Sequence, residues 1–239
     1  MKKSVKVLVG MTAFVLIGGL LWFANGLIGN PVSKALANNK AKKYVSENYS
    51  DMELQISDVY YSFKDGYYHA DIKSLTSKDT YFSIRLSFLG KVEYDSYEDN
   101  VRKVKEMADI AHSYGATIEG ELGHVGDNPD SAEGSSHINP ADFYTDPKMA
   151  KDFVDKTGVD ALAIAVGTAH GAYKLPPKLD FERIHTIANT VDVPLVLHGG
   201  SGLTDNDFKR AIQEGISKIN IFTDINVAAV EAEFRKFET

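Results

Sequence analysis

The decapeptide "PLVLHGGSGL", residues 194–203, is an apolar run that ends in a histidine and a glycine-rich turn. A short, continuous apolar run is typical of a strand that a parallel sheet buries on both faces. In such sheets the residues that follow the strands meet at one edge, where α/β proteins bind their ligands. His198 and the turn after it are therefore the first candidate site in this sequence.

The pattern of apolar strand, polar tip and amphipathic helix occurs four times after residue 99. It predicts an α/β domain whose four strands are adjacent and parallel in chain order, at 117–122, 161–167, 194–198 and 218–223. Helices on the outer face of the sheet are expected in "DPKMAKDFVDKTG", "DFERIHTIANTV", "TDNDFKRAIQEG" and "INVAAVEAEFRKF". A further helix, "VRKVKEMADIAHSYG", precedes the first strand and ends at Gly115.

Polar residues at three of these strand ends are expected to converge in one cleft. Neutral imidazole is a common zinc ligand, which makes His170 and His198 candidate metal ligands. The glycine amides beside each histidine and the Ser201 hydroxyl are suited to an anion such as phosphate. Asn220 and Thr223 would add hydrogen-bond donors from the last strand.

Composition excludes several classes of function. The chain has 239 residues, a net charge of −7 and no cysteine. Without cysteine there is no disulfide, no thiolate nucleophile and no Cys-type zinc site. The acidic balance does not indicate a nucleic-acid-binding surface.

The N-terminal segment from residue 7 to residue 29 carries no charge. About 20 apolar residues suffice to cross a bilayer, whereas the apolar region of a secretory signal runs about 7–15 residues. An uncleaved membrane anchor is therefore favoured over a buried core helix or a signal peptide cleaved near "ALA" at 35–37. Lysines flank the segment on both sides, so they do not fix its orientation. A single N-terminal anchor most often leaves its N-terminus inside, which favours an external C-terminal portion.

The domain plan is an anchor at 1–30, a small α+β domain at 31–98 and the α/β domain at 99–239. The middle domain is expected to hold a helix in "NNKAKKYVSENY" and an antiparallel meander with a hairpin turn at residues 64–66. Its tyrosines form either a cross-strand aromatic ladder or a binding surface. His69 has no nearby partner in the sequence and is assigned a structural role. This segment resembles small membrane-anchored proteins of Gram-positive bacteria, and that resemblance implies no function.

Residues from about 100 to 239 closely resemble the class II, zinc-dependent ketose-bisphosphate aldolases. The stretches that carry the resemblance are "TIEGELG", "YTDPKMAKDFVDKTGVDALAIAVGTAHGAYK", "DFERIHTIANTVDVPLVLHGGSGL" and "AIQEGISKINIFTDIN". The resemblance implies a (β/α)8 TIM barrel, of which this chain carries the C-terminal half with four β/α units. It implies a lyase in which Zn2+ polarises the carbonyl of dihydroxyacetone phosphate during cleavage of a ketose bisphosphate.

Matched position by position, the resemblance assigns His170 and His198 as two of three zinc-binding histidines. It assigns Glu121 to a glutamate near the metal cleft, although a salt bridge in the barrel mouth is an equal alternative. The ketose phosphate would be held by Gly171, Gly199, Gly200, Ser201, Asn220, Ile221, Phe222 and Thr223, and Asp224 continues that motif.

The chain also departs from the family. The first half of the family's barrel carries the catalytic aspartate and the first zinc histidine, and residues 1–98 contain no matching sequence. The loop "HVGDNPDSAEGSSH" is altered as well, with Asp127 and Glu133 as candidate bases. His124 and His137 in that loop are expected to be solvated, whereas His112 and His185 are expected to be structural residues on helices. The expected activity of the chain alone is therefore a trace at most.

Three hypotheses remain open. The first is an aldolase completed by a partner or by a second copy in a homo-oligomer. The second is a catalytically inactive membrane-anchored protein that binds phosphate or metal at most. The third is that two separate reading frames have been joined near "YEDNV". The family acts on cytoplasmic phosphosugars, so an external C-terminal portion would meet no substrate. Fructose and tagatose bisphosphates are not distinguished by these motifs.

Overall fold

The computed structural model describes residues 3–75, 81–123, 125–127, 144–171 and 177–237. The chain divides into two compact units, each with its own internal contacts. The first comprises Met1–Ser50, Ile56–Ile72 and Phe82–Ser96, and the second comprises Asp51–Gln55, Lys73–Tyr81 and Tyr97–Thr239.

Two helices open the chain, α1 (Lys3–Ile28) and α2 (Pro31–Asn48). Helix α2 begins seven residues before the predicted segment 38–49, because the Asn30 side chain accepts a hydrogen bond from the backbone N–H of Ser33 and Pro31 occupies the first turn. Its buried face is formed by Ala37, Ala41 and Val45, which are spaced four residues apart.

Helix α1 has the length and composition of a membrane-spanning segment. Within Val9–Asn48 there is one helix long and apolar enough to cross a bilayer, and none of its most apolar window is buried in the protein. Trp22 is 77% exposed and Phe14 is 79% exposed. These properties match the expected anchor at residues 7–29, although a signal sequence near an N-terminus meets the same criteria.

Five strands form the N-terminal sheet: β1 (Leu54–Ile56), β2 (Tyr60–Ser62), β3 (Tyr67–Ser74), β4 (Tyr81–Leu86) and β5 (Val92–Asp95). Their order is β1-β3-β4-β5, with β2 also paired to β3. The β2–β3 hairpin is antiparallel and turns at Gly66, whose φ is +75°, as predicted. Residues 57–59 separate β1 from β2, and a turn at Gly90 with φ +75° separates β4 from β5.

Aromatic pairs connect β2 and β3, as the cross-strand ladder predicts. Tyr61 lies opposite Tyr68 with ring centroids 5.2 Å apart. His69 stacks on Tyr60 at 5.5 Å, and its Nε2 lies 2.8 Å from Asp65 Oδ2. The expectation that His69 has no partner was wrong, because the hairpin turn folds Asp65 back beside it.

The second unit alternates strands and helices. In chain order the elements are α3 (Ser96–Ser113), β6 (Glu119–Leu122), β7 (Gly126–Asp127), α4 (Pro147–Thr157), β8 (Ala161–Ile164), β9 (Ala169–His170), α5 (Phe181–Ala188), β10 (Leu195–Leu197), α6 (Asp205–Gln213), β11 (Ile216–Ile219) and α7 (Thr223–Phe237).

Strands β6, β8, β10 and β11 form a four-stranded parallel sheet in that spatial order. The predicted order and direction are therefore confirmed. Burial explains why β8 and β10 read as continuous apolar runs, since every residue of β10 is at most 1% exposed and β8 is buried from Leu162 to Ile164. Strands β7 and β9 form a separate two-residue parallel ladder, in which Asp127 pairs with His170.

The last strand ends earlier than predicted. Strand β11 stops at Ile219, and α7 begins at Thr223 after a three-residue connection. The connection leaves the sheet after Asn220, whose backbone N–H still donates to Leu197 O at 2.9 Å and whose carbonyl accepts from Gly200 N. Helix α7 forms where predicted but is not buried against the outer face of the sheet as expected, because its side chains from Asp224 to Lys236 are all exposed.

Candidate functional site

Strands β9 and β10 and the β11–α7 connection end around one cleft of about 560 Å³. The residues that line it are His170, Gly171, His198, Gly199, Ser201, Ile219, Asn220, Ile221, Phe222 and Thr223. The structure thus brings together every residue assigned above to the phosphate and zinc sites, except Gly200 and Glu121, which lie beside the cleft.

The two histidines face the same cleft, with ring centroids 5.9 Å apart. Two imidazoles on one tetrahedral zinc have centroids about 5 Å apart, given Zn–N distances of about 2.0–2.1 Å. A shift of roughly 1 Å would therefore let His170 and His198 share one ion. Within the described ranges, no group of three His, Cys, Asp or Glu side chains is arranged to hold a metal. The pair fits zinc by donor type and spacing, as part of a coordination shell.

Both nitrogens of His198 meet carboxylates from β6. Its Nε2 lies 2.9 Å from Glu119 Oε1, and its Nδ1 lies 3.1 Å from Glu121 Oε2. Residues two apart in a strand share one face, so β6 presents both glutamates to the same side. Gly120 between them faces α4, because a Cβ there would lie 2.9 Å from the Phe153 ring. The glutamates therefore occupy the face that α4 does not cover.

Lys218 of β11 completes this network, with its Nζ 2.7 Å from Glu119 Oε2. Burial alone would raise the pKa of the Glu119 carboxyl, but the hydrogen bonds from Lys218 and His198 outweigh it and lower the pKa. Glu119 is therefore a carboxylate at neutral pH, with each oxygen engaged by a different donor.

Gly199 sets the close approach of the two histidine-bearing segments. Its φ is +68°, and an added Cβ would lie only 2.4 Å from Ala169 O. Because Ala169 directly precedes His170 and Gly199 directly follows His198, backbone contact fixes how the two histidines approach each other. Only glycine provides both the left-handed conformation and the space.

The turn after His198 is joined to the start of α7. Ser201 is buried, and its Oγ accepts a hydrogen bond from the Asp224 backbone N–H at 3.2 Å. The Asp224 carboxylate in turn accepts from Gly202 N at 2.8 Å. These contacts hold the first turn of a 15-residue helix at the cleft, where the positive end of the helix dipole favours an anion.

The remaining histidines and candidate bases are distributed as follows. His112 lies on α3 with its Nε2 2.8 Å from Asp160, and His185 lies on α5 with its Nδ1 3.1 Å from Glu214. Both contacts match the predicted structural roles. The Asp127 backbone lies opposite His170 in the β7–β9 ladder. His124, Glu133 and His137 lie outside the described residues.

Sequence reasoning missed Glu119 and Lys218. The spacing of Glu119 and Glu121 was a usable signal, because residues two apart in a strand point the same way. Lys218, an exposed lysine inside the predicted strand "ISKI", was another. What the sequence does not reveal is that side chains from the two outer strands meet across the sheet.

Comparisons with known proteins agree with this architecture. Residues 90–238 match the family model of class II fructose-bisphosphate aldolase, and residues 3–96 match the model of a YfjL-like N-terminal domain. The chain is 39% identical over 172 residues to the D-tagatose-1,6-bisphosphate aldolase subunit GatY of Klebsiella oxytoca, covering 72% of this chain and 58% of that protein.

Among solved structures, the YdjI aldolase from Escherichia coli K12 is similar at 40% sequence identity with a TM-score of 0.50. The match covers 60% of this chain and 48% of that one. The chain therefore spans about half to three fifths of the length of these relatives. The family model covers well over half of this chain, and the strand order and cleft belong to the matched region. The chain belongs to the class II fructose-bisphosphate aldolase family.

Proposed function

We propose that the second unit binds the phosphate group of a phosphorylated ketose, such as dihydroxyacetone phosphate, and a zinc ion in the cleft between β9, β10 and β11. The observation that carries this proposal is the meeting of His170 and His198 with a glycine turn and a helix N-terminus in one cleft. The donor types match the two parts of the ligand, because imidazole suits zinc while backbone amides and hydroxyls suit phosphate.

The family resemblance implies separate sets of residues for binding phosphate and for binding zinc. The Ser201 hydroxyl and the first turn of α7 would hold the phosphate. The Gly200 N–H, which donates to Asn220 O, would support the turn that carries Ser201. His170 and His198 would hold zinc, with Glu121 beside His198 Nδ1. A bound zinc supplies a Lewis acid for the substrate carbonyl. The fold proposed for the second unit is half of a (β/α)8 barrel.

Proton transfer is the weak part of an aldolase function in this chain. Cleavage of a ketose bisphosphate needs a group that moves the proton of the departing alkoxide. Glu119 and Glu121 both contact His198, and Asp127 is a further candidate within the described part of the chain, because its backbone lies opposite His170. Loss of general acid–base catalysis typically costs 10²–10⁴-fold in rate. We therefore favour a ligand-binding member of the family with trace lyase activity, unless a partner or a second copy completes the site.

Phosphate binding is tested with the full chain in detergent, titrated with dihydroxyacetone phosphate by calorimetry. Ser201→Ala is expected to weaken binding roughly 10–150-fold, since a hydrogen bond to a charged group contributes about 1.5–3 kcal/mol. Ser217→Ala is the matched control, because Ser217 is exposed on β11. Equal affinity in all three proteins would remove the phosphate assignment.

Zinc binding is tested by titrating the metal-free chain with zinc alone. His198→Ala is expected to lower the affinity at least tenfold, whereas His185→Ala on α5 should leave it unchanged. The same preparations, assayed with fructose and tagatose bisphosphates in excess zinc, should show only trace cleavage. Turnover of roughly one per second, the low end of ordinary enzymes, would show that the site is complete.

We also propose that α1 anchors the chain in a membrane. Trp22 is the only tryptophan of the chain, so its fluorescence reports on α1 alone. In lipid vesicles its emission should shift to the blue and be quenched by brominated lipids. A Trp22→Phe, Tyr114→Trp variant is the control, because Tyr114 is 84% exposed in the second unit. Water-like, unquenched emission from Trp22 would exclude the anchor.

A further inference from the structure

The contacts of His198 with Glu119 and Lys218 determine which of its two ring nitrogens carries the proton. Glu119 accepts from Lys218 Nζ at 2.7 Å through one carboxylate oxygen and faces His198 Nε2 at 2.9 Å with the other. A carboxylate that is held in its charged form by a lysine has only acceptor sites. Nε2, the nitrogen that faces Glu119, therefore carries a proton.

We propose that Glu119, held by Lys218, is a positioning residue that keeps His198 in the tautomer with the proton on Nε2. This arrangement leaves the lone pair of Nδ1 on the side of Glu121, 3.1 Å from its Oε2. Two lone pairs at that distance repel each other, so the gap favours a positive species, either a proton or a metal ion. The inference rests on the proposed function only in taking zinc as that ion.

The residues that set the His198 tautomer come from the edge strands of the sheet. Glu119 and Lys218 belong to β6 and β11, the two outermost strands of the sheet, while His198 follows β10 between them. Lys218 is half exposed, with 55% of its side chain accessible, so the ion pair adds little stability by itself. Its effect is on geometry, because it fixes which way the Glu119 carboxylate points. Carboxylates in this relation to a ligating histidine orient the ring and set its tautomer.

The decisive variant is Glu119→Gln, which preserves shape but replaces one acceptor with a donor. Lys218 requires an acceptor, so the glutamine oxygen is expected to face Lys218 and its amide group to face His198. An amide donor opposite Nε2 forces the proton of the imidazole onto Nδ1. The substitution should therefore reverse the tautomer of His198.

The readout is the long-range ¹H–¹⁵N spectrum of the full chain in detergent, with labelled histidine, chelator present and pH alkaline enough to keep imidazole neutral. The His198 signals are assigned by their loss in His198→Ala. We expect the Nε2–H tautomer in the parent protein and the Nδ1–H tautomer in Glu119→Gln. Glu98→Gln is the matched control, because Glu98 forms a similar ion pair with Lys156 at 2.6 Å. An Nδ1–H tautomer in the parent protein, or the same tautomer in parent and Glu119→Gln, overturns the proposal.

A zinc titration of the same three proteins separates this inference from the proposed function. Loss of a carboxylate that orients a ligand typically weakens metal binding 10–100-fold, so Glu119→Gln should bind zinc that much more weakly than Glu98→Gln. A reversed tautomer with no zinc binding in any protein would support the positioning role and remove the zinc assignment. Equal zinc affinity with an unchanged tautomer would leave the zinc assignment in place and exclude the role of Glu119. Lys218→Met, which retains Glu119, should keep the tautomer and lose less affinity than Glu119→Gln.

Discussion

In the N-terminal sheet the carboxylate of Asp95 is 7% exposed and accepts hydrogen bonds from the hydroxyls of Tyr49 and Tyr44, at 2.7 and 3.1 Å. At the cleft of the second unit, the carboxylate of Glu121 is 40% exposed and contacts a histidine that is also partly open to solvent. Each region contains a carboxylate in contact with tyrosine or histidine side chains. In the N-terminal sheet these groups are buried in the core, whereas at the cleft they are accessible to a ligand.

Burial and the location of the partners therefore distinguish structural from functional polar residues in this chain. Burial of a polar group is tolerated when its partners belong to the same core, and loss of one partner then lowers stability. Polar groups at the ends of parallel strands contribute little to the core and remain available for binding. Substitutions in the two regions should therefore change different measured quantities.

The largest expected effect comes from Gly199→Ala. The new methyl group would meet the backbone of Ala169 at 2.4 Å and force a residue with a side chain into positive φ. We expect the opening free energy of β10, measured by hydrogen exchange with mass spectrometry, to fall by roughly 2–5 kcal/mol. Zinc affinity should fall with it, because the two histidine segments would move apart.

Gly158→Ala is the control for that clash. Gly158 caps α4 with φ +70° but has no atom within 4 Å of an added Cβ. Gly158→Ala should lower the free energy of opening only by the cost of the positive φ, about 1–3 kcal/mol. Equal losses in the two variants would show that the contact with Ala169 does not hold the histidine segments together.

Asp95→Ala is expected to lower stability by a smaller amount, and only in the N-terminal unit. The substitution leaves the buried Tyr49 hydroxyl without its acceptor, which costs about 1–3 kcal/mol. Hydrogen exchange in β4 and β5 should speed up accordingly, while zinc and phosphate affinities stay unchanged. Asp58→Ala, at an exposed position, should change stability by less than about 0.5 kcal/mol. Impaired binding in Asp95→Ala would break the distinction between the two regions.

The smallest expected effect is the pH dependence of the stability that Asp160 contributes beside the start of β6. The Asp160 carboxylate faces His112 Nε2 and accepts a hydrogen bond from the Ile118 backbone N–H, and these contacts lower its pKa. A carboxyl whose pKa is lowered by folding stabilises the native state above its unfolded pKa, about 3.9, and that contribution disappears as pH falls through the folded pKa. Asp160→Asn should therefore be less stable than the parent at neutral pH, and the difference should vanish in acid. A difference that stays constant with pH would exclude this linkage.

The sequence predicted the second unit well because its two central strands, β8 and β10, are buried on both faces. The apolar runs around Leu162 and Val196 identify their strands without ambiguity, and Asp146 and Thr204 cap the helices as their residue types predict. The strand order followed from these elements alone.

The connection at residues 220–222 and the role of Glu119 were harder to predict. Where β11 ends depends on hydrogen bonds from Asn220 to the neighbouring turn, and such tertiary contacts leave no periodic signal. The same holds for the meeting of Glu119 on β6, Lys218 on β11 and His198 directly after β10. His69 was misjudged because its partner is brought near by a turn rather than by periodicity.

The exposed helix α7 has a practical consequence for anyone who handles the protein. An isolated helix of about 12–15 residues is only marginally stable in water, so α7 should open readily to proteases. Trypsin would cut at Arg235 and Lys236, and chymotrypsin at Phe234. Asp224 is tied to Ser201 and Gly202, so trimming from the far end of the helix should stop before the cleft is damaged. A proteolysed preparation is then expected to be a shorter chain that retains the ligand-binding end of the sheet.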